Sequence, residues 1–265
     1  EDMIQLNEHI ISNDRFPDGT LLMKLPFSPK PSNEIHWHYE NDAELFKLIC
    51  LVKTIREMYK GVRIDLFMPY LPNARQDRVK NPEDVFTLRT FAKAINAMDF
   101  ERVYVWDAHS NVGTALINRC KDVPAKNWIE EVITTLGSED LVLFFPDEGA
   151  QKRYGGMFPE YKQAFGIKKR NWETQKIEGY MIVGEENIKD KRILIIDDIC
   201  SYGNTFVKAA EAIHNAGAKE INLYITHCED AINKGNVFTC GLINKVFTTG
   251  SLVRSAETEE KLFHV

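Results

Sequence analysis

Apolar residues recur along this chain in two rhythms, and each change of rhythm marks an element. Dense runs such as RIDLFMPY (63–70), RVYVWDAH (102–109), LVLFF (141–145), ILII (193–196) and INLYITH (221–227) predict strands, with ILII a buried strand of a parallel sheet. Between them the apolar positions spread to a helical spacing. Ala43, Leu45, Phe46, Ile49, Leu51, Val52, Ile55 and Met58 predict an amphipathic helix, with Asn41 or Asp42 as its N-cap. Further helices are predicted from Pro82 or Thr87 to Ala97, over 127–136, and along VKAAEAIHNAG from Val207. Asp18-Gly19 within RFPDGTLLMKL predicts a strand–turn–strand, and FSPKPSNE (27–34) a loop. A short strand at 163–167 is expected to run into a polar, basic loop, KKRNWETQK, and KVFTTGSL (245–252) to form a last strand and turn.

Strands alternating with helices from end to end predict an α/β, doubly wound chain. Strand-plus-loop units occur in both halves, so a boundary is expected within 120–140. No low-complexity linker marks it.

The strand ends concentrate the chemistry. ILII stops at Asp197 and Asp198, and a turn-rich segment, 200–205, precedes a helix. Such a loop at a strand's carboxyl end can cradle a phosphate on backbone N–H groups, helped by the helix dipole, while paired acids hold a ribose diol or work with Mg²⁺. NARQDR (73–78) supplies two guanidiniums and an amide for phosphate oxygens, or is a solvated charged loop. In WDAHS, Asp107 and His109 are two residues apart, which in extended backbone directs both the same way. His109 then ligates a metal, contacts a phosphate, or is a structural histidine. FPDEGA places Asp147 and Glu148 after another buried strand. Lys168, Lys169 and Arg170 form a basic trio that either neutralises a transferring phosphoryl group or is solvated surface. Acids, guanidiniums and a basic loop at successive strand ends together suit phosphoryl or pyrophosphoryl transfer.

Composition narrows this reading. The 265 residues carry a net charge of −6, which argues against a general nucleic-acid binder but leaves room for local basic clusters and small anions. Five cysteines without CxxC spacing fit reduced thiols and a cytoplasmic location rather than a disulfide framework. No apolar stretch has the length of a membrane span, and no signal-peptide pattern opens the sequence. His36 and His38 flank Trp37 at a metal-like spacing, yet no Cys or acid nearby completes a site.

In this order the motifs resemble the ribose-phosphate pyrophosphokinase (PRPP synthetase) family over about 12–252. RFPDGT resembles the family's RFSDGE, MPYLPNARQDR its IPYFGYARQDR, WDAH its DLH, FPDEGA its SPDxGG, KKR its KRR loop, and IIDDICSYGNT its VDDxxDTGGT. The resemblance implies two phosphoribosyltransferase-like domains, each a mostly parallel sheet flanked by helices. The first, 1–126, would hold ATP; the second, 127–265, would hold the ribose and phosphate loop, its last residues packing back on the first. It implies Mg²⁺ as cofactor, transfer of the β,γ-diphosphoryl group of ATP to the anomeric hydroxyl of a phosphorylated ribose, and a homo-oligomer (dimer or hexamer).

Residue by residue, the resemblance puts Arg75, Gln76, Asp77 and Arg78 at ATP, with Phe16 and Asp18 reaching adenine from a neighbouring subunit. His109 and Asp147 fall at the metal, and Lys168, Arg170 and His109 in catalysis. Asp197 and Asp198 fall on the ribose hydroxyls, and Ser201, Tyr202, Gly203, Asn204 and Thr205 at the 5′-phosphate. The chain departs from the family where DTGGT becomes SYGNT, where Thr20 replaces an acid and where Ala150 replaces a glycine. The bulkier loop raises ADP-ribose as an acceptor nearly level with ribose 5-phosphate. A phosphoribosyltransferase consuming PRPP shares the Asp-Asp loop but does not need NARQDR, and a non-catalytic nucleotide-binding homologue is the remaining reading.

Overall fold

In the computed structural model, described here for residues 3–25, 28–170, 177–252 and 261–265, the first unit covers Glu1–Pro124. Its elements in chain order are β1 (Ile4–Leu6), β2 (His9–Ile10), β3 (Ser32–Trp37), α1 (Ala43–Met58), β4 (Arg63–Phe67), α2 (Thr87–Ala97), β5 (Arg102–Trp106), α3 (Asn111–Leu116) and β6 (Cys120–Val123). The described strands form one sheet in the order β2-β1-β3-β4-β5-β6. From β3 to β6 the pairing is parallel, and β1 is antiparallel to both neighbours. Helix α1 buries Leu48, Leu51, Val52 and Ile55, an i, i+3, i+4, i+7 stripe. Of the predicted apolar positions Leu51, Val52 and Ile55 face the core, whereas Ala43, Phe46 and Met58 are exposed. Its start is fixed by Asn41, whose Oδ1 accepts from the Ala43 N–H at 3.1 Å, while Asp42 makes no such bond.

Two expectations change here. The predicted loop at 27–34 gives way at Ser32 to β3, whose alternating burial (Asn33, Ile35 and Trp37 inward) outweighs the turn residues before it. The predicted hairpin at RFPDGT is reduced to a tight turn with a single bridge, Arg15 to Leu21. Phe16 N–H donates to Thr20 O and Gly19 N–H to Phe16 O.

The second unit covers Ala125–Val265. It contains α4 (Lys126–Leu136), β7 (Leu141–Phe145), α5 (Glu148–Tyr154), β8 (Lys162–Arg170), β9 (Ile177–Val183), β10 (Arg192–Cys200), α6 (Asn204–Asn215), β11 (Glu220–Cys228), β12 (Lys245–Thr248) and β13 (Leu262–His264). The order of its described strands is β13-β12-β11-β10-β7-β8-β9, parallel except for β8 against β9. The chain's last described residues thus complete this sheet.

Alternate residues of β7 and β10 feed two cores. Val142, Phe144, Ile193 and Ile195 pack with Phe206, Ala209, Ala210 and Ile213 of α6. Leu143, Phe145, Leu194 and Ile196 pack with Ile129 and Val132 of α4 and Ala150 and Tyr154 of α5. Burial on both faces is why these strands read as solid apolar runs. His227, on β11, is buried and its Nδ1 lies 2.7 Å from the Ser251 hydroxyl, a structural partner.

Another expectation is corrected in this unit. Lys168, Lys169 and Arg170 lie in strand β8, paired with β9, and not in a loop. The ladder, not apolar content, satisfies this backbone. The side chains of 168–170, and the NWETQK part of the stretch, lie outside the described residues.

Candidate active site

The second sheet reverses its winding between β7 and β10. From β7 the chain moves outward through α5 to β8 and β9, and then returns to place β10 on β7's other side. In open α/β sheets such a switch point leaves a crevice beyond the strands' carboxyl ends. Asp147 follows β7 at that position, and Asp197 and Asp198 lie at the end of β10.

The loop after β10 is shaped by close approach. Gly203 has φ +76°, and a Cβ there would meet Val237 Cγ2 at 2.1 Å; Val237 is fully buried and has little room to yield. Across the loop, a Cβ on Gly235 would lie 1.9 Å from the Tyr202 carbonyl oxygen. Ser201, Tyr202 and Gly203 are therefore held against the 235–237 segment, and α6 begins at Asn204, so Asn204 and Thr205 belong to its first turn. A cleft of about 280 Å³ opens here, lined by Asp197, Ile199, Ser201, Tyr202, Gly203, Asn204, Thr205 and Phe206. Tyr202 stands 53% exposed at this cleft.

The two acids are not equivalent. Asp197 lines the cleft, and its Oδ1 accepts from the Asp198 N–H at 3.0 Å. Desolvation, followed by the neighbouring carboxylates of Asp198 and Asp147, pushes its carboxyl well above the usual range. Asp198 is buried and ion-paired, its Oδ2 3.2 Å from Arg153 Nη1 of α5. The sequence placed both acids on a ribose; the structure brings Asp197 to the cleft and ties Asp198 to a helix behind it. Asp147 caps α5, its Oδ1 accepting from Ala150 N–H at 3.1 Å. Tyr180 of β9, which sequence reasoning passed over, lies close enough to Asp147 and Asp197 for both to raise its phenol, after burial.

In the first unit the loop after β4 carries NARQDR. Arg75, Gln76 and Arg78 are exposed, and Asp77 is buried. The Gln76 N–H closes a turn on Asn73 O at 3.0 Å, and Gln76 Oε1 accepts from Thr87 at 2.8 Å. Asp77 holds Arg78 by two bonds, Nε at 2.7 Å and Nη2 at 2.9 Å. The Arg78 guanidinium, with Ser110 and His109 adding to it, lowers the Asp77 carboxyl to about 2. Asp77 thereby links the loops after β4 and β5.

The spacing argument for Asp107 and His109 does not hold, because β5 ends at Trp106. Asp107 takes φ +42° and is buried, and His109 is half-buried near Asp77. Phe16 is 49% exposed on its turn, where Asp18 Oδ1 accepts from Thr20 N–H at 2.9 Å and Thr20 Oγ1 at 2.7 Å. His36 stacks on Phe67 at 4.6 Å, and no group of three potential metal ligands occurs among the described residues.

A strand, a glycine-fitted loop and a helix at a switch point define a phosphoribosyltransferase-type domain, and the sequence model of the phosphoribosyl transferase domain family matches residues 164–238. The similarity extends well beyond that segment. A ribose-phosphate pyrophosphokinase of Thermococcus kodakarensis is 29% identical over 88% of this chain and 79% of its own length. The enzyme of the same name from Pyrococcus abyssi is 27% identical over 88% and 78%. The crystal structure of phosphoribosylpyrophosphate synthetase from Mycobacterium smegmatis shares the fold, with a TM-score of 0.78 at 18% identity, over 96% of this chain and 85% of that one. The chain is thus similar over most of its length to ribose-phosphate pyrophosphokinases, and carries a phosphoribosyl transferase domain match in its second unit.

Proposed function

We propose that this chain is a transferase that moves the β,γ-diphosphoryl group of ATP to the anomeric hydroxyl of a 5-phosphorylated ribose. The sugar oxygen attacks the β-phosphorus, the Pα–O–Pβ bridge breaks, AMP leaves with the bond's electrons, and the hydroxyl proton is released. The observation that carries this reading is the glycine-fitted loop of Ser201, Tyr202 and Gly203 beside Asp197 at the switch point. Its backbone and the start of α6 suit an acceptor phosphate, and Asp197 suits a sugar hydroxyl.

Arg75, Gln76 and Arg78 are exposed donors for ATP, and Asp77 orients Arg78. The reaction needs positioning and charge neutralisation more than covalent help. Lys168 and Arg170 at the end of β8 are assigned the transferring phosphates. Mg²⁺ fits the donor chemistry: Asp147 and Asp197 are hard oxygen donors whose mutual repulsion a divalent cation relieves. Asp147 would hold it in the second unit, and His109 is assigned a metal or phosphate contact in the first. Bound with ATP, the ion would neutralise phosphate charge. Phe16 and Asp18, on an exposed turn, are assigned to adenine in a neighbouring copy, which makes a homo-oligomer, dimer or hexamer, part of the reading. Free thiols at all five cysteines agree with a cytoplasmic setting, and no described helix is long and apolar enough to cross a membrane.

A second acceptor is favoured by one observation. Tyr202 presents an exposed ring at the cleft where the 5′-phosphate would sit, a surface suited to a group attached beyond that phosphate. ADP-ribose, giving ADP-ribose pyrophosphate, has such a group. The test is to supply Mg-ATP with ribose 5-phosphate or ADP-ribose, measure AMP, and weigh the product. A gain of one diphosphoryl group on either sugar supports the reading and names the acceptor. No AMP with any phosphorylated ribose would overturn it in favour of a nucleotide-binding regulatory protein.

A further inference from the structure

Strand β9 brings to the site a residue with no part in the reading above. The Tyr180 ring packs against Phe144 of β7, with centroids 6.4 Å apart. It crosses β8 at Gly166, where a Cβ would come within 2.0 Å of the tyrosine oxygen, so any side chain at 166 would displace the ring. At its far end the Tyr180 hydroxyl donates to the Pro146 carbonyl at 2.9 Å. Pro146 has a fixed φ, and its carbonyl belongs to the peptide that leads into Asp147. Asp147 in turn holds extended backbone, φ −160°, to cap α5. In the β8–β9 ladder Tyr180 stands directly opposite Lys168. A phenylalanine would fill the same space, so packing accounts for the ring but not for the hydroxyl, whose burial is favourable only when bonded.

We propose that Tyr180 is a positioning residue: its hydroxyl fixes the Pro146–Asp147 turn beside Asp197 and ties to that turn the β8–β9 hairpin that carries Lys168 and Arg170. Groups that act on a reacting phosphate lose rate when their supports loosen, even if substrates still bind. The catalytic half of this inference rests on the pyrophosphokinase reading, and the structural half does not.

The test compares the full chain with Tyr180→Phe. The expected result is a fall in kcat of about 10-fold, with KM for ATP and acceptor each within about 2-fold, the pattern of an interaction that matters mainly in the transition state. Hydrogen exchange should quicken in peptides covering 162–170 and 177–183 and stay unchanged in β10 and β11. Gly166→Ala, which pushes the ring from its seat, should lower kcat similarly, and the double variant should lose little more than the worse single one, because both break the same contact. Unchanged kcat together with unchanged exchange in Tyr180→Phe would overturn the proposal and leave Tyr180 a packing residue. A rise in KM with kcat intact would also overturn it. If the unaltered chain makes no AMP with any acceptor, the pyrophosphokinase reading fails, and the exchange comparison still decides whether Tyr180 holds the turn and hairpin.

Discussion

Asp197 lines the cleft at a place where a negative charge is poorly accommodated. Burial and two neighbouring carboxylates raise its folded pKa above the unfolded value, which for an aspartate is about 3.9. The native state therefore binds that proton more tightly than the unfolded chain. The stability this gives is complete below the unfolded pKa and is lost as pH rises through the folded one. At neutral pH Asp197→Asn, which removes the charge, is expected to stabilise the fold by about 0.5–2 kcal/mol. The same change should weaken use of the acceptor by about 10- to 100-fold, the worth of a hydrogen bond or two to a charged group. Thermal melts beside acceptor kinetics would show both effects, and a lower melting temperature in the variant would refute the argument. Asp77 has the opposite sign. Arg78 depresses its pKa to about 2, so its contribution is present above the unfolded value of about 3.9 and lost as pH falls through 2. Arg78→Ala should therefore cost stability in urea titrations at pH 7 and cost nothing near pH 1.5. An equal cost at both pH values would assign the loss to packing.

At the scale of elements, Asp147 joins two roles that can be separated by substitution. As the N-cap of α5 its oxygen accepts the Ala150 N–H, a bond that asparagine makes about as well. Asp147→Asn should keep stability within about 0.5 kcal/mol, while Asp147→Ala costs about 1 kcal/mol. If the carboxylate also holds Mg²⁺, both variants should need more Mg²⁺ for half-maximal AMP formation. A normal Mg²⁺ requirement in Asp147→Asn would confine the residue to its helix. This site was legible in the sequence because Asp147, Asp197 and the Ser201–Gly203 turn each follow a solid apolar strand, and parallel strands gather their carboxyl ends on one edge. The pairing of Asp198 with Arg153 was not legible, since it depends on which face of β10 meets α5. Strand β9 was missed for a related reason. Its neighbour β8 ends in Lys168, Lys169 and Arg170, which read as loop, whereas an edge ladder needs backbone partners more than apolar side chains. The turn at Asp107 escaped as well, because a left-handed φ on an aspartate leaves no periodic trace.

Across the whole chain, the proposed reaction asks different things of the two units. The second, Ala125–Val265, has a core on each face of its own sheet and carries the loop, Asp147 and Asp197. The first has its own separate core and carries NARQDR and His109. A unit with two cores built from its own residues is expected to fold alone. Expressed by itself, 125–265 should show one cooperative urea transition and bind the acceptor sugar in a calorimeter. It should release no AMP from Mg-ATP, because the arginines proposed to hold ATP are missing. Adding Mg-ATP should not tighten the sugar's binding to this fragment, whereas a non-hydrolysable ATP analogue should do so in the full chain. AMP formation by the fragment would show that the first unit is dispensable to the chemistry and would remove Arg75, Gln76 and Arg78 from the proposed site. A fragment without a cooperative transition would instead show that its two cores need the first unit to close.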